Sequence, residues 1–187
     1  MLFRSIPDDS LFTAIGTDVG GKVAHWVCLS FRENGRIHVV DYGTTGVVTK
    51  GDTTFDIAIE ATLKRLHERL SLYEPKLWYV DSHWKPIPII AAIKAVGDRK
   101  IRPIFGLGSG QVNTKKYRHP RGGKTRGYTW VGDEASERYR RDYGMICCSV
   151  NSDYYKTELH RWLDADPPGV TLYESTDEKE QDRKSVV

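Results

Sequence analysis

Apolar residues along this chain recur in two rhythms, every second residue and every third or fourth, and the switches between them mark its elements. An apolar run (Leu11, Phe12, Ala14, Ile15) reaches Asp18 and then Gly20-Gly21, and an alternating run follows at Val23, His25, Val27, Leu29 and Phe31. A period of two predicts two strands of one sheet joined by a glycine turn. Glu33-Asn34-Gly35-Arg36 then puts an Asn-Gly pair ahead of a third β-rich run over 37–42. Such a pair favours a tight hairpin because both residues tolerate positive φ. The N-terminal unit is thus expected to be a three-stranded antiparallel meander with Asp18 at the end of its first strand.

From Phe55 the rhythm lengthens. Apolar residues at 55, 59, 63, 66 and 70, with Lys64, Arg65, Glu68 and Arg69 between them, predict an amphipathic helix. Thr53-x-x-Asp56 before it resembles a capping box with Asp in place of Glu. Leu77-Trp78-Tyr79-Val80 is a second apolar strand ending in an acid, Asp81. Pro86 and Pro88 suit the first turn of a short buried helix (Ile87, Ile90, Ala91, Ile93, Ala95, with Gly97 beyond), and a strand over 101–105 closes a right-handed βαβ unit with parallel strands.

After Phe105 the pattern weakens. Gly106-Leu107-Gly108-Ser109-Gly110 opens a glycine-rich, basic stretch read as a flap over 106–127; a short strand over 128–131, a helix over 135–142 and a last apolar strand over 145–150 follow. Asn151-Ser152-Asp153 caps a helix striped by Tyr155, Leu159, Trp162 and Leu163. Pro167-Pro168-Gly169 is expected to end the ordered fold. The resulting division is an N-terminal linker (1–10), one α/β domain (11–165) with the basic flap 106–127, and a polar C-terminal tail (166–187).

Composition changes this picture in three places. No apolar stretch approaches the ~20 residues needed to span a bilayer, so no membrane association and a cytoplasmic location are expected. Cys28, Cys147 and Cys148 lie in predicted strands without metal-ligand spacing or histidine partners, which favours buried free thiols. The net charge is only +3, yet Lys115, Lys116, Arg118, Arg121, Lys124 and Arg126 fall in one acid-free segment, leaving the remainder net negative. Charge concentrated in one segment is what a groove or flap touching phosphate requires, and those six residues are the candidate contacts to double-stranded DNA.

Three antiparallel strands, a helix, then parallel strands with helices between them is the layout of the ribonuclease H-like fold. There the first strand lies parallel beside the strand ending at Asp81, so Asp18 and Asp81 would emerge at neighbouring carboxyl ends, where open α/β sheets place their sites. Asp153, at the border of the last strand and helix, is the candidate third carboxylate. Oxygen donors without His or Cys favour two Mg²⁺ or Mn²⁺ ions over zinc, and a two-ion site cleaves phosphodiesters. Each acid also has a plainer reading, a turn Asp for Asp18 and Asp81 and a first-turn Asp for Asp153. Asp41, Asp133 and Asp142 are read as surface or turn residues, with Asp142 the alternative third ligand. His83 is either a support for the site or a surface-loop histidine, and the five tryptophans are read as core or groove-lining.

With GTDVGGKVAHWVCLSF and its hairpin, WYVDS before a helix, IFGLGSG, and CSVNSDYYKTELHRWL followed by GVTLYE, the chain resembles the nuclease domain of a bacteriophage large terminase subunit of the lambda-type branch, from about Phe12 to Tyr173. The resemblance implies a ribonuclease H-like endonuclease that cuts concatemeric viral DNA during packaging in the host cytoplasm. Asp18, Asp81 and Asp153 match the acids that hold its two ions. It also implies a terminase ATPase domain, the small terminase subunit and the portal as partners. No P-loop ATPase precedes Met1, which suggests an excised domain or a split subunit; Gly122-Gly123-Lys124-Thr125 resembles the end of a Walker A motif, but Arg118 stands where its first glycine belongs. Three alternatives stand beside this reading: a Holliday-junction-resolvase-like nuclease, a non-catalytic DNA-binding module, and a sugar-kinase or actin-type ATPase lobe, for whose two lobes the chain is too short.

Overall fold

The computed structural model describes residues 6–33, 35–49, 54–107, 131–132 and 141–172. The elements run β1 (Ser10–Val19), β2 (Val23–Arg32), β3 (Ile37–Gly46), α1 (Phe55–Leu70) with a 3-10 turn (Ser71–Tyr73), β4 (Leu77–Asp81), α2 (Pro86–Val96), β5 (Ile101–Leu107), β6 (Val131–Gly132), β7 (Cys148–Asn151), α3 (Ser152–Asp164) and β8 (Val170–Leu172). They form one mixed sheet in the order β6-β7-β5-β4-β1-β2-β3-β8. β1, β2 and β3 pair antiparallel, whereas β1–β4, β4–β5 and β5–β7 pair parallel. A meander continued by parallel strands through helical crossovers is the ribonuclease H-like layout, and the fold belongs to that class.

Local signals explain most of these elements. Gly35 takes φ +76° in the β2–β3 hairpin, closed by Arg32 N–H donating to the Arg36 carbonyl at 2.9 Å. α2 has Pro86 at its first position and Gly97 at φ +78° as its C-cap, the usual Pro-in, Gly-out asymmetry. α1 starts one residue later than a capping box at Thr53 requires: its N-cap is Thr54, whose side chain makes no cap hydrogen bond. Its stability comes instead from the apolar stripe, since Ile59, Leu63, Leu66 and Leu70 are all buried against the sheet.

One face of the sheet is sealed and the other is half open. Ile15, Val19, Trp26, Cys28, Trp78, Val80 and Ile101 form one core with α1 and α2. Alternate residues on the opposite face, Ala14, Gly16, Leu77, Tyr79 and Ile104, are only partly covered. On the meander that second face carries a smaller cluster of Ile37, Val39 and Val170, with Val27, Leu29 and Phe31 against it.

The structure departs from the sequence expectations in four places. The chain does not leave the fold at Pro167-Pro168-Gly169: Gly169 N–H donates to the Trp162 carbonyl (2.8 Å), its carbonyl accepts from Ile37 N–H (2.9 Å), and β8 then pairs parallel with β3. Residues 6–10 are not a free linker, because Ile6 packs on the core and Asp9 pairs with Arg32 Nε at 2.7 Å. Gly106 and Leu107 belong to β5 and not to the flap. Asp41 is not a surface residue. A bulge at Cys28/Leu29 in the β2–β3 pairing lets both Val40 and Asp41 face the core, where Asp41 is 6% exposed. Its carboxylate accepts from Tyr73 Oη and from Tyr42 N–H, both at 2.9 Å, with Arg69 3.7 Å away. The remainder of the flap, Asp133, and most of the helix expected over 135–142 lie outside the described residues; Asp142 is exposed.

The Tyr73–Asp41 hydrogen bond makes stability depend on alkaline pH. Burial, and then the hydrogen bond to Asp41, push the Tyr73 phenol up to about 12. The folded chain therefore holds this proton more tightly than the unfolded one, whose phenol titrates near 10. The stabilisation is complete below pH 10 and is lost as pH rises towards 12. Denaturant titrations from about pH 8 to 11 should show a steeper alkaline loss for wild type than for Tyr73→Phe, which should itself cost about 1–2 kcal/mol at neutral pH. Parallel curves for the two proteins would contradict this assignment.

Candidate metal centre

The site begins with a side chain on the sealed face. Trp78 Nε1 donates to Thr17 Oγ1 at 2.9 Å, and both residues are buried. This bond ties β1 to β4 inside the parallel register Ile15↔Trp78, Gly16↔Tyr79, Thr17↔Val80. One step further along the same register, Asp18 stands beside Asp81. Residues paired in adjacent parallel strands share a face and lie about one strand spacing, ~4.8 Å, apart. Asp18 is exposed and Asp81 half-buried, and Thr17, Val19, Val80 and Ser82 on either side of them are buried. Period-two alternation therefore puts both acids on the half-open face.

Their hydrogen bonding differs. Asp81 Oδ1 accepts from His83 N–H at 2.9 Å, an Asx turn that fixes the carboxylate and leaves Oδ2 for another partner. Asp18 has no hydrogen-bond partner among the described residues, so the turn-Asp reading does not explain it. Two adjacent carboxylates of this kind repel one another unless a cation lies between them. As hard oxygen donors on the half-open face they fit Mg²⁺ or Mn²⁺.

Asp153 is exposed in the first turn of α3, whose N-cap Asn151 accepts from Tyr154 N–H at 3.2 Å. The helix starts at this end of the sheet because Leu107 pairs with Asn151, and Gly106 leaves room for Ser152, 3.4 Å from where a Cβ would stand. In the register that carries Asp81 to Ile104 and Ile104 to Cys148, Asp153 lies two strands over and five residues further on. The structure thus brings Asp18 and Asp81 together and leaves Asp153 at the same sheet end, to one side. Among the described residues no three His, Cys, Asp or Glu side chains already converge as a metal cage. The flap residues Lys115, Lys116, Arg118, Arg121, Lys124 and Arg126 lie outside the described residues.

Other candidates find different places. His83 packs edge-on against Phe105 (6.5 Å), a core residue, and so turns away from the face that carries Asp81. Trp26 and Trp78 are core, whereas Trp84 is 56% exposed and Trp162 43%; Trp130 lies outside the described residues. Trp84 lies over Gly21, 3.2 Å from where a Cβ would be, and edge-on to Phe55, with Lys85 Nζ about 5 Å from both rings. The space at Gly21 is therefore filled by an indole and that at Gly20 by the Val23 carbonyl, 2.9 Å from where a Cβ would be, which weakens the phosphate-loop reading. The three cysteines are free and buried, and burial pushes the Cys28 thiol up to about 12 and Cys147 to about 11. Such thiols are inert at neutral pH.

Sequence reading missed one residue. Asp18 pairs across the antiparallel β1–β2 ladder with His25, and His25 pairs onward with Thr44 of β3. All three are exposed. The signal was present, since a turn at 20–22 with Val19 opposite Ala24 places position 25 opposite 18.

No family model matches the chain, and no curated protein matches it in sequence. Among solved structures it is similar to an exopolyphosphatase from Cytophaga hutchinsonii at 20% identity and TM-score 0.37, over 50% of this chain and 34% of that one. It is similar to the yeast mitochondrial Holliday junction resolvase at 11% identity and TM-score 0.43, over 96% of this chain and 73% of that one. It is also similar to T. thermophilus RuvC in complex with a Holliday junction substrate, at 10% identity and TM-score 0.39, over 72% and 81%. Likenesses this slight bear no weight for activity, and the fold class rests on strand order and direction.

Proposed function

We propose that this chain is a divalent-metal-dependent endonuclease acting on double-stranded DNA, with Asp18 and Asp81 as its central metal ligands. The observation that supports this most is their adjacency on the half-open face at the carboxyl ends of two parallel strands, with Asp18 lacking any partner among the described residues. Two bound ions would supply an activated water and stabilise the leaving oxygen of a phosphodiester. Asp18 and Asp81 hold that charge in place: the strands fix their backbones, and the His83 amide orients Asp81. Asp153, from the first turn of α3, is the third ligand in this proposal. The six bases of the flap hold the duplex backbone, a task of positioning and not of sequence reading. The biological role in this reading is cutting concatemeric viral DNA during packaging, alongside a terminase ATPase domain, the small terminase subunit and the portal.

Metal binding is testable apart from activity. A ligand present at a hundredfold excess over its Kd stabilises a fold by about 2.7 kcal/mol. Saturating Mn²⁺ should therefore raise the melting temperature of wild type by several degrees, and Asp18→Asn or Asp81→Asn should abolish the rise without lowering the melting temperature in EDTA. An unchanged Mn²⁺ response in both variants would place the ion elsewhere.

Cleavage should follow the same residues. Linearisation of plasmid should need Mg²⁺ or Mn²⁺, stop in EDTA, and fall roughly a thousandfold in Asp18→Asn and Asp81→Asn, the size of losing about 4 kcal/mol of metal-held stabilisation. Asp153→Asn should fall similarly, and wild-type cutting by that variant would move the third ligand to Asp142. Cutting of four-way junctions in strong preference to linear duplex would favour a resolvase over a packaging nuclease.

Replacing Lys115, Lys116, Arg118, Arg121, Lys124 and Arg126 with neutral residues should weaken duplex binding and flatten its log–log salt slope by about 0.9 for each phosphate left unneutralised. Mn²⁺ affinity should not change. A salt slope equal to wild type would move the DNA to another face.

A further inference from the structure

At the level of the two acids, the half-open face carries a row with one residue from each of six adjacent strands: Thr44, His25, Asp18, then Asp81 one step beyond the Thr17↔Val80 pair, Ile104 and Cys148. The row is asymmetric. On the β4 side of the acids the next residues are Ile104 and Cys148, the latter buried, and neither is a strong hydrogen-bond donor. On the β2 side the next residues are His25 and Thr44, both exposed and both donors. His25 is set there firmly, because its neighbours Ala24 and Trp26 are buried in the core on the other face. A cross-strand pair has Cβ atoms about 4.5–5.5 Å apart, so the imidazole lies within reach of whatever Asp18 holds.

We infer that His25 is a substrate-contacting residue of this site, donating a ring N–H to a non-bridging oxygen of the phosphodiester held at Asp18 and Asp81, and that the nucleic-acid strand leaves the acids across β2 towards Thr44. The inference rests on the nuclease reading above and adds the direction of the bound strand. It needs no change of protonation, since a neutral imidazole always keeps one N–H donor. An aliphatic or aromatic residue at position 25 would leave the row with no donor next to the acids.

His25→Phe keeps a ring and removes the donor, while His25→Gln keeps a donor and removes the ring. Position 25 is exposed, so neither variant disturbs the core. Affinity for a short duplex oligonucleotide in Ca²⁺ and single-turnover cleavage in Mg²⁺ should each fall about tenfold or more in His25→Phe, the effect of one hydrogen bond to a charged group. His25→Gln should recover most of both, and Mn²⁺ affinity should equal wild type in each. If wild type cuts DNA and His25→Phe matches it, the inference fails and the nuclease reading stands. If His25→Phe loses Mn²⁺ affinity, His25 is a metal ligand and the phosphate contact is wrong. If wild type neither binds Mn²⁺ nor cuts DNA, the nuclease reading fails, and this inference with it.

Discussion

Parallel pairing of β1 with β4 governs everything built at the site. A crossover between two parallel strands needs a helix-length connection, and α1, buried along its Ile59–Leu70 stripe, supplies it. The buried Trp78–Thr17 hydrogen bond then holds the register at the last residues before the site. A slip of one residue would turn Asp18 or Asp81 into the core, where an unpaired carboxylate is heavily penalised. Hydrophobic patterning and site geometry are thus enforced by the same register.

Three aspartates show how environment separates acids with a structural task from one without. Asp9 is tied to Arg32, whose guanidinium holds its carboxyl below the usual carboxylate range. Asp41 is buried but satisfied by Tyr73, Tyr42 and the nearby Arg69. Asp18 has neither burial nor a partner among the described residues, and its neighbour in the next strand is another acid. Residue type alone would rank Asp18 and Asp41 alike, since both sit within strands of the meander.

Much of the layout was legible in the chain because it is written in short-range patterns. The Gly35 turn ahead of the third strand, the α1 stripe, the Pro86 start and Gly97 stop of α2, and the two strands that carry Asp18 and Asp81 at their carboxyl ends all follow from local rules. What the sequence hid depends on pairing between distant segments. The bulge that buries Asp41 exists only in the β2–β3 ladder, and β8 becomes a strand only because β3, far earlier in the chain, offers His38 and Val39 as partners to Thr171 and Leu172. His25 is a nearer case, a local hairpin partner whose place opposite Asp18 follows only once the turn at 20–22 fixes the register. It reads as an ordinary outward residue of an alternating strand until the ladder sets it opposite Asp18. Asp153 illustrates the converse, a local helix-start signal that was read correctly while its distance from the other acids depended on two further strand spacings.

Whether the Asp18–Asp81 pair is a divalent-metal centre can be seen without recourse to activity, in an anomalous difference map from a crystal soaked in Mn²⁺. A peak is expected between the two carboxylates, within about 2.0–2.6 Å of an oxygen from each, the range for oxygen ligands of hard divalent cations. A map with Mn²⁺ bound elsewhere, or with no density at that pair under saturating metal, would contradict the assignment.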